Sequence, residues 1–220
     1  MNLQKVKVAI FDLDGTLLDT IADIGTGANN ALCRYGFPAY PIADYCAMVG
    51  HGIRTLLRTA AKTATEEQLD LILKAYQSYY PEHCTELTTY FPGVQRLLDA
   101  MERSGITLAV ISNKTEKTGQ KIISHYFPNN RFAFVWGNNG SRPLKPSTEA
   151  GVLACETLHV EPEEVLFVGD GDTDMEFASR MGFIACGVTW GYRSPEELRS
   201  AGADFLIDHF DELTAMLPHS

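Results

Sequence analysis

Two carboxylates stand directly behind a strand-forming run near the start of the chain. Residues 6–11 are apolar and rich in β-branched and aromatic side chains apart from one lysine, which is typical of a buried strand. The run ends in Asp12 and Asp14, with a Gly-Thr pair after them. Because side chains alternate along a strand, the two acids point to the same side and Leu13 points away. Two carboxylates so close repel each other unless one is protonated or a cation lies between them. The stretch therefore predicts a chemical site.

Composition limits the classes of protein to consider. The chain has 220 residues, 45% hydrophobic and 21% charged, which is enough for one sizeable α/β domain with an insertion or for two small domains. A formal net charge of -10 and a pI of about 5.0 argue against a nucleic-acid partner, which would require clustered Lys and Arg. The five cysteines include no Cys-x-x-Cys pair, so neither a disulfide framework nor a zinc site is predicted.

We expect neither a membrane span nor an export signal in this chain. The first residues lead at once into the predicted strand, and no apolar run approaches the length of a membrane span. We therefore expect a cytoplasmic protein with no membrane partner, acting as a monomer or a homodimer.

A helical block follows the first strand. The hydrophobic period becomes helical after residue 20, and the segment Thr20–Asp23 fits a capping box. Further helical patterns are predicted near 43–49, 53–63 and 66–80. No strand is predicted between residues 18 and 84.

Strands and helices alternate from residue 85 onward. Strands are predicted at 107–111, 132–135, 165–168, 183–188 and 204–207, and helices at 94–101, 115–126, 147–159, 173–181 and near the C-terminus. Such alternation requires a parallel sheet with right-handed crossovers, covered on both faces. The fold class is therefore α/β, with a core of residues 1–17 and 85–220 and a helical insertion at 18–84.

Polar side chains at three predicted strand ends could converge on one site, because ligands of such sheets bind beyond the carboxyl ends of the strands. Asp12 ends the first strand, Ser112 and Asn113 end the second, and the segment 169–174 ends another. Lys145 lies on a loop just ahead of a helix. Each signal is weak by itself, but their order and context together are specific.

These motifs resemble those of the haloacid dehalogenase superfamily of phosphohydrolases. The segment 12–16, Asp-Leu-Asp-Gly-Thr, resembles the first motif, and Ser112 and Lys145 resemble the second and third. Asp170 and Asp174 resemble the fourth motif, Gly-Asp-x-x-x-Asp. The resemblance implies a Rossmann-like core, and the helical insertion resembles the type 1 cap domain of that superfamily. The segments 91–94 and 189–192 further resemble its phosphoglycolate phosphatase branch.

Crowded carboxylates predict a hard divalent cation with oxygen ligands, for which Mg²⁺ fits best. The resemblance implies that Mg²⁺ is held by the carboxylates of Asp12 and Asp170 and by the backbone carbonyl of Asp14. It also implies that Asp174 supports the waters of the metal or the lysine. Asp172 falls between motif positions, and we expect it to be an exposed residue at a helix start.

The resemblance implies two-step phosphoryl transfer. Asp12 would attack phosphorus to give an aspartyl phosphate, while Asp14 protonates the leaving alcohol and later takes a proton from the attacking water. The transferring oxygens would be held by Lys145, the Ser112 hydroxyl and backbone N–H groups near Leu13 and Asn113. Dehalogenases of this fold lack an acid at the position of Asp14, because a halide leaving group needs no proton.

Substrate choice is expected to come from the inserted helices. The best candidate is Gly50-His51-Gly52-Ile53-Arg54, where two glycines permit a tight turn and Arg54 could pair with a substrate carboxylate. His51 is a second candidate. The alternative is an ordinary turn between helices with a solvent-facing arginine.

The leading hypothesis is a Mg²⁺-dependent phosphatase for a small phosphorylated metabolite, with 2-phosphoglycolate suggested by the resemblance. A β-phosphoglucomutase-like phosphotransferase, a pyrophosphatase or a nucleotidase would use the same core with a different cap. A non-catalytic phosphate-binding regulator is the alternative from another class.

Overall fold

The computed structural model describes residues 3–217, so the ends of the predicted core at 1–2 and 218–220 lie outside the described residues. The strands of this part are β1 (Val8–Phe11), β2 (Leu18–Asp19), β3 (Thr89–Tyr90), β4 (Thr107–Thr115), β5 (Phe132–Asn138), β6 (Val165–Gly169), β7 (Ile184–Val188) and β8 (Phe205–Ile207). The α-helices are α1 (Ile21–Arg34), α2 (Ile53–Ala60), α3 (Glu66–His83), α4 (Val94–Arg103), α5 (Glu116–Tyr126), α6 (Glu149–Leu158), α7 (Asp172–Met181), α8 (Pro195–Ser200) and α9 (Phe210–Ala215). Short 3₁₀ helices cover Ile42–Ala47 and Pro162–Glu164.

The main sheet has the strand order β5-β4-β1-β6-β7-β8, and all its pairings are parallel. Strand β1 lies between β4 and β6, with Val8 opposite Thr107 on one side and Val165 on the other. All four residues of β1 are buried. The prediction of a parallel α/β sheet is confirmed, and Asp12 directly follows one of its two fully buried strands.

Helices cover both faces of the sheet, and the alternation of β1 separates two apolar cores. Ala9 and Phe11 pack in the core that also contains the apolar residues of α4, α5 and α9. Val8 and Ile10 pack in the other core, with residues of α6, α7 and α8. A strand that is buried on both faces has apolar residues at consecutive positions, which explains the nearly continuous apolar sequence of residues 6–11.

The helical insertion lies between β2 and β3. Helix α1 packs against α3 and against the 3₁₀ helix Ile42–Ala47, which the helical period near 43–49 had predicted as a helix. Tyr45 is fully buried there, and its hydroxyl donates a hydrogen bond to Asn29 Oδ1 at 2.7 Å. The helices near 53–63 and 66–80 are confirmed as α2 and α3.

The expectation that residues 18–84 contain no strand is wrong at its first two residues. Leu18 pairs with Tyr90 and Asp19 with Thr89 in a short antiparallel ladder. Both ends of the insertion are therefore tied together at one place, where two-residue strands are too short to give a periodic signal in the sequence.

The predicted capping box of α1 is also wrong. The Thr20 side chain makes no cap hydrogen bond and donates instead to Asp14 Oδ1 at 2.6 Å. The Asp23 carboxylate accepts hydrogen bonds from the backbone N–H groups of Leu87 and Thr88, each at 2.9 Å. Both side chains therefore bond to residues outside α1 instead of to each other's backbone at the helix start.

The remaining differences between the predicted and observed elements mostly concern where the elements begin and end. Strand β4 continues to Thr115, so Ser112 and Asn113 lie within it, in a stretch where its register with β5 shifts. Helix α8 was not predicted. Within residues 3–217, no helix has the length and apolar character needed to cross a lipid bilayer.

Candidate active site

Three buried carboxylates converge at the carboxyl ends of β1 and β6. Asp12 directly follows β1, Asp170 directly follows β6, and Asp174 lies in the first turn of α7. One carboxylate oxygen from each lies within 4.8 Å of the others. The structure thus brings together these three predicted site residues from segments up to 162 positions apart, because β1 and β6 are neighbours in the sheet.

Two glycines allow other segments to approach Asp170 closely. Gly15 has φ +80°, and a Cβ there would lie 2.3 Å from Asp170 Oδ2. A Cβ at Gly191 would lie 2.1 Å from the Asp170 Cβ atom. Thr16 Oγ1 then donates a hydrogen bond to Asp170 Oδ1 at 2.9 Å, and the Tyr192 backbone N–H donates to Oδ2 at 2.8 Å. The turn after β1 and the loop after β7 therefore fix the orientation of this carboxylate.

Lys145 lies inside the carboxylate cluster. Its Nζ is 2.7 Å from Asp12 Oδ1, 2.7 Å from Asp174 Oδ1 and 2.7 Å from the carbonyl oxygen of Ile111. An ammonium group has three protons, so these contacts account for all of them.

Burial dominates the electrostatics of the cluster. It raises the pKa of Asp12 to about 7, with Lys145 opposing the shift and Asp174 and Asp14 adding to it. Burial, followed by the charges of Asp174 and Asp12, also raises the pKa of Asp170 well above its usual range. Burial by itself would lower the pKa of Lys145, but its two carboxylate partners outweigh that effect and raise the pKa.

The donor set fits a hard divalent cation. Four carboxylates surround the site, from Asp12, Asp14, Asp170 and Asp174, and all are buried. When all four are ionised, two ammonium groups, from Lys114 and Lys145, balance two of them and leave two negative charges. Buried like charges are costly, and a divalent ion bound by oxygen atoms would neutralise them.

Asp14 has an ion-pair partner that sequence reasoning missed. Lys114 Nζ lies 2.8 Å from Asp14 Oδ1 and 3.1 Å from Oδ2, and it also donates to the Tyr80 hydroxyl at 2.7 Å. The side chain of Lys114 is only 6% exposed. A signal was present, because Lys114 is two residues after Ser112 in β4, and residues at that spacing share a face of a strand.

Ser112 and Asn113 both lie at the site, but their side chains are used differently. Ser112 is buried and lines the cavity, and its Oγ accepts a hydrogen bond from the Lys114 N–H at 3.3 Å. The Asn113 amide donates to the carbonyls of Gly50 at 2.7 Å and Lys145 at 3.0 Å, and its oxygen accepts from the Lys145 N–H at 2.7 Å. The Asn113 side chain therefore links the helical insertion to the Lys145 loop.

A cavity of about 410 Å³ lies between these strand ends and the helical insertion. The sheet side contributes the carboxylates and lysines. The insertion contributes mainly apolar and aromatic side chains: Ile24, Val49, Ile53, Leu56, Tyr76 and Tyr80. The cavity thus combines a charged floor with a largely apolar roof, as small-molecule sites commonly do.

His51 and Arg54 are not among the residues that line this cavity. The Arg54 side chain is 47% exposed and pairs with Asp70 at 2.6 Å and Glu66 at 2.8 Å on α3. These contacts match the alternative interpretation of a surface arginine between two helices. His51 Nε2 lies 3.4 Å from Asp172 Oδ2.

Asp172 is not the freely exposed residue that we expected. It begins α7, and besides His51 it contacts Arg193, whose Nε lies 3.2 Å from Asp172 Oδ1. Arg193 also donates to the carbonyls of Cys46 at 3.0 Å and Val49 at 2.7 Å. Asp172 therefore belongs to a polar cluster between the sheet and the helical insertion. Its members come from segments far apart in the sequence, so the cluster forms only when the insertion packs on the sheet.

Comparison with known protein families identifies the family of this chain. The family model for haloacid dehalogenase-like hydrolases matches residues 9–188, a range that includes all four motif regions. The chain belongs to this family. The resemblance predicted from the motifs is therefore confirmed.

Individual relatives are phosphoglycolate phosphatases. The chain is 28% identical over 225 residues to the phosphoglycolate phosphatase of Haemophilus influenzae, covering 99% of this chain and 100% of that protein. It is 30% identical over 212 residues to the phosphoglycolate phosphatase of Aquifex aeolicus, covering 96% of this chain and 97% of that protein. The crystal structure of a predicted phosphoglycolate phosphatase from Haemophilus somnus 129pt superposes on this chain with a TM-score of 0.91 and 26% sequence identity. The match covers 98% of this chain and 99% of that chain. The chain is thus an enzyme of the phosphomonoester hydrolase class, similar to phosphoglycolate phosphatases.

Proposed function

We propose that the protein is a Mg²⁺-dependent phosphatase that hydrolyses a small organic phosphomonoester, phosphoglycolate first among the candidates, through an aspartyl phosphate. One observation carries this proposal. Asp12, at the end of the central strand, shares Lys145 with Asp174 and belongs to a cluster of three buried carboxylates. A nucleophile, a cation-binding set and a phosphate-binding lysine are thereby available at one point.

The metal would be held by the carboxylates of Asp12 and Asp170 and by the backbone carbonyl of Asp14, with Asp174 in support. Bound Mg²⁺ would supply positive charge to the transferring phosphoryl group. Thr16 and the Tyr192 N–H keep both oxygens of Asp170 in place for this role.

The chemistry of the chain begins at Asp12. One of its oxygens attacks phosphorus in line with the leaving oxygen, so the phosphoryl group passes to the carboxylate and the alcohol departs. The positive charge of Lys145, the Ser112 hydroxyl and backbone N–H groups near Leu13 and Asn113 stabilise charge on the phosphoryl oxygens. Water then attacks the aspartyl phosphate, which releases phosphate and restores the carboxylate.

Asp14 moves the proton in both steps. It gives a proton to the leaving oxygen in the first step and takes one from water in the second. Thr20 Oγ1 at 2.6 Å and Lys114 Nζ at 2.8 Å hold its Oδ1 oxygen, which fixes the orientation of the carboxyl group.

Residues 18–84 act in this proposal as a cap domain over a core of residues 1–17 and 85–220. The paired β2 and β3 are the point where the two parts join. The roof of apolar and aromatic side chains would exclude bulk water from the phosphoryl group during transfer.

The test is phosphate release with Mg²⁺ from phosphoglycolate, ethyl phosphate, sugar phosphates, nucleotides and pyrophosphate, comparing wild type with Asp12→Asn. We expect release from phosphomonoesters that requires Mg²⁺ and is abolished by the substitution. Dependence on a sugar bisphosphate with no free phosphate would support a β-phosphoglucomutase-like enzyme, and selective turnover of pyrophosphate or nucleotides would support those alternatives. Ligand binding without turnover of any compound would favour a regulator.

A further inference from the structure

We propose that Lys114 and Tyr80 form an anion subsite for the leaving group, so that the enzyme selects phosphomonoesters whose alcohol carries a carboxylate. This inference rests on the proposed function, because it places the subsite beside Asp14 in its role as proton donor. The two residues lie 34 positions apart, on β4 and α3.

The position of Lys114 follows from its contact with Asp14. Its Nζ lies 2.8 Å from Asp14 Oδ1, and Asp14 is the group that meets the leaving oxygen in the proposed mechanism. In a 2-phosphoryloxy acid a single methylene carbon separates the leaving oxygen from the carboxylate. A carboxylate at that separation falls within reach of an ammonium group beside Asp14, where a charge-assisted hydrogen bond can form.

Lys114 also retains donor capacity. Its contacts at 2.8 Å and 3.1 Å go to the two oxygens of a single carboxylate, so one ammonium proton can serve both, and the Tyr80 hydroxyl takes a second. A third proton then remains for a substrate. Lys145 differs, because it meets three separate acceptors.

Tyr80 contributes a second donor from the helical insertion. Its hydroxyl oxygen accepts from Lys114, and within residues 3–217 its own proton meets no hydrogen-bond acceptor. Burial, followed by the charge of Asp14, raises the pKa of Tyr80 well above its usual range, so the phenol keeps that proton. The ring is fixed by stacking on Tyr76 with centroids 4.9 Å apart and by close packing against Gly27.

The other cations of the cavity wall are engaged or exposed. Arg193 is bound to Asp172 and to two backbone carbonyls. Lys117 and Lys121 are exposed, and Lys121 donates to the Pro81 carbonyl. Arg54 lies outside the cavity lining. Lys114 is therefore the cation best placed to recognise a carboxylate next to the leaving oxygen.

The test compares two esters that differ by the carboxylate, phosphoglycolate and ethyl phosphate, in wild type, Lys114→Met and Tyr80→Phe. Any effect of Lys114 through Asp14 acts on both esters, so the ratio of their kcat/KM values isolates the subsite. We expect Lys114→Met to lower the phosphoglycolate to ethyl phosphate ratio about 10- to 100-fold and Tyr80→Phe roughly 3- to 10-fold, from the strengths of charged and neutral hydrogen bonds. Lys117→Met is the matched control, with the same loss of charge at the cavity wall, and should leave the ratio unchanged.

A second measurement needs no turnover. The inhibition constant of 3-phosphonopropionate, divided by that of propylphosphonate, compares binding with and without the carboxylate. Lys114→Met should raise this quotient about as much as it lowers the kcat/KM ratio. Equal losses for both esters and both inhibitors, or an equal effect of Lys117→Met, would overturn the inference. Those outcomes would leave the proposed function intact as long as Asp12→Asn abolishes phosphate release, whereas wild type without phosphate release would overturn the function itself.

If Lys114→Met does not fold, Tyr80→Phe still decides the matter, since it removes only one oxygen atom and keeps the stacked ring. An unchanged ratio in Tyr80→Phe, together with an unchanged inhibitor quotient, would then count against the subsite.

Discussion

Replacing Asp12 by Asn should stabilise the metal-free protein while it removes the nucleophile. Asp12 is buried, and its pKa is raised from 3.8 to about 7. A carboxyl group whose pKa is raised on folding contributes stability below its unfolded pKa, and that stability is lost as the pH rises toward the folded pKa. The loss is complete above about pH 7, where the ionised carboxylate must be kept in a buried site.

The pKa difference sets the size of the effect. The difference between a pKa of 3.8 and one of about 7 corresponds to roughly 4 kcal/mol, and the neutral Asn avoids this cost. The gain in the free energy of unfolding should therefore approach about 4 kcal/mol near pH 8 and fall to about half of that near pH 5.5. Lys145 keeps its contacts with Asp174 and the Ile111 carbonyl in the variant, so no buried charge loses all its partners.

Urea unfolding in EDTA at these two pH values measures the difference. Asp44→Asn is the control, because it removes one negative charge from an exposed position and should change the free energy of unfolding by no more than about 0.5 kcal/mol. Addition of Mg²⁺ at about pH 8 should stabilise wild type more than Asp12→Asn. A variant no more stable than wild type near pH 8, or a gain that is independent of pH, would refute the account of the carboxylate cluster.

Three further substitutions test individual contacts. Asp14→Asn should lower kcat on alkyl phosphates about 10²- to 10⁴-fold, with Mg²⁺ binding by calorimetry retained because the expected metal contact is a backbone carbonyl; near-native turnover would contradict its proton-transfer role. Asn113→Ala removes the links to Gly50 and Lys145, and we expect a higher KM and a loss of about 1–3 kcal/mol in urea unfolding, since buried polar partners are left unpaired. Arg54→Ala should leave the kcat/KM ratio of phosphoglycolate to ethyl phosphate unchanged, because its partners are Glu66 and Asp70; a selective loss on phosphoglycolate would restore the substrate role predicted from the sequence.

Local periodicity accounts for what could be predicted about the fold. The parallel sheet, the helices on its two faces and the helical insertion follow from apolar patterns a few residues long. Strand pairs of two residues, such as Leu18–Asp19 with Thr89–Tyr90, have no such pattern. The segment Thr20–Asp23 has the composition of a capping box, yet both side chains bond to other segments, because partners supplied by tertiary packing compete with local ones.

The identity of the chemical groups at the strand ends follows from the sequence alone. Asp12 and Asp170 each end a buried apolar strand, and neighbouring parallel strands carry such groups to one edge of a sheet. The pairing of charges, and which of them remain available to a substrate, depends on tertiary packing. Lys114 meets Tyr80, and Arg193 meets Cys46, only through the packing of the helical insertion on the sheet, and neither contact follows a spacing rule. Hydrogen bonds form between groups that packing brings within about 3 Å, and sequence separation carries no information on that distance beyond a few residues.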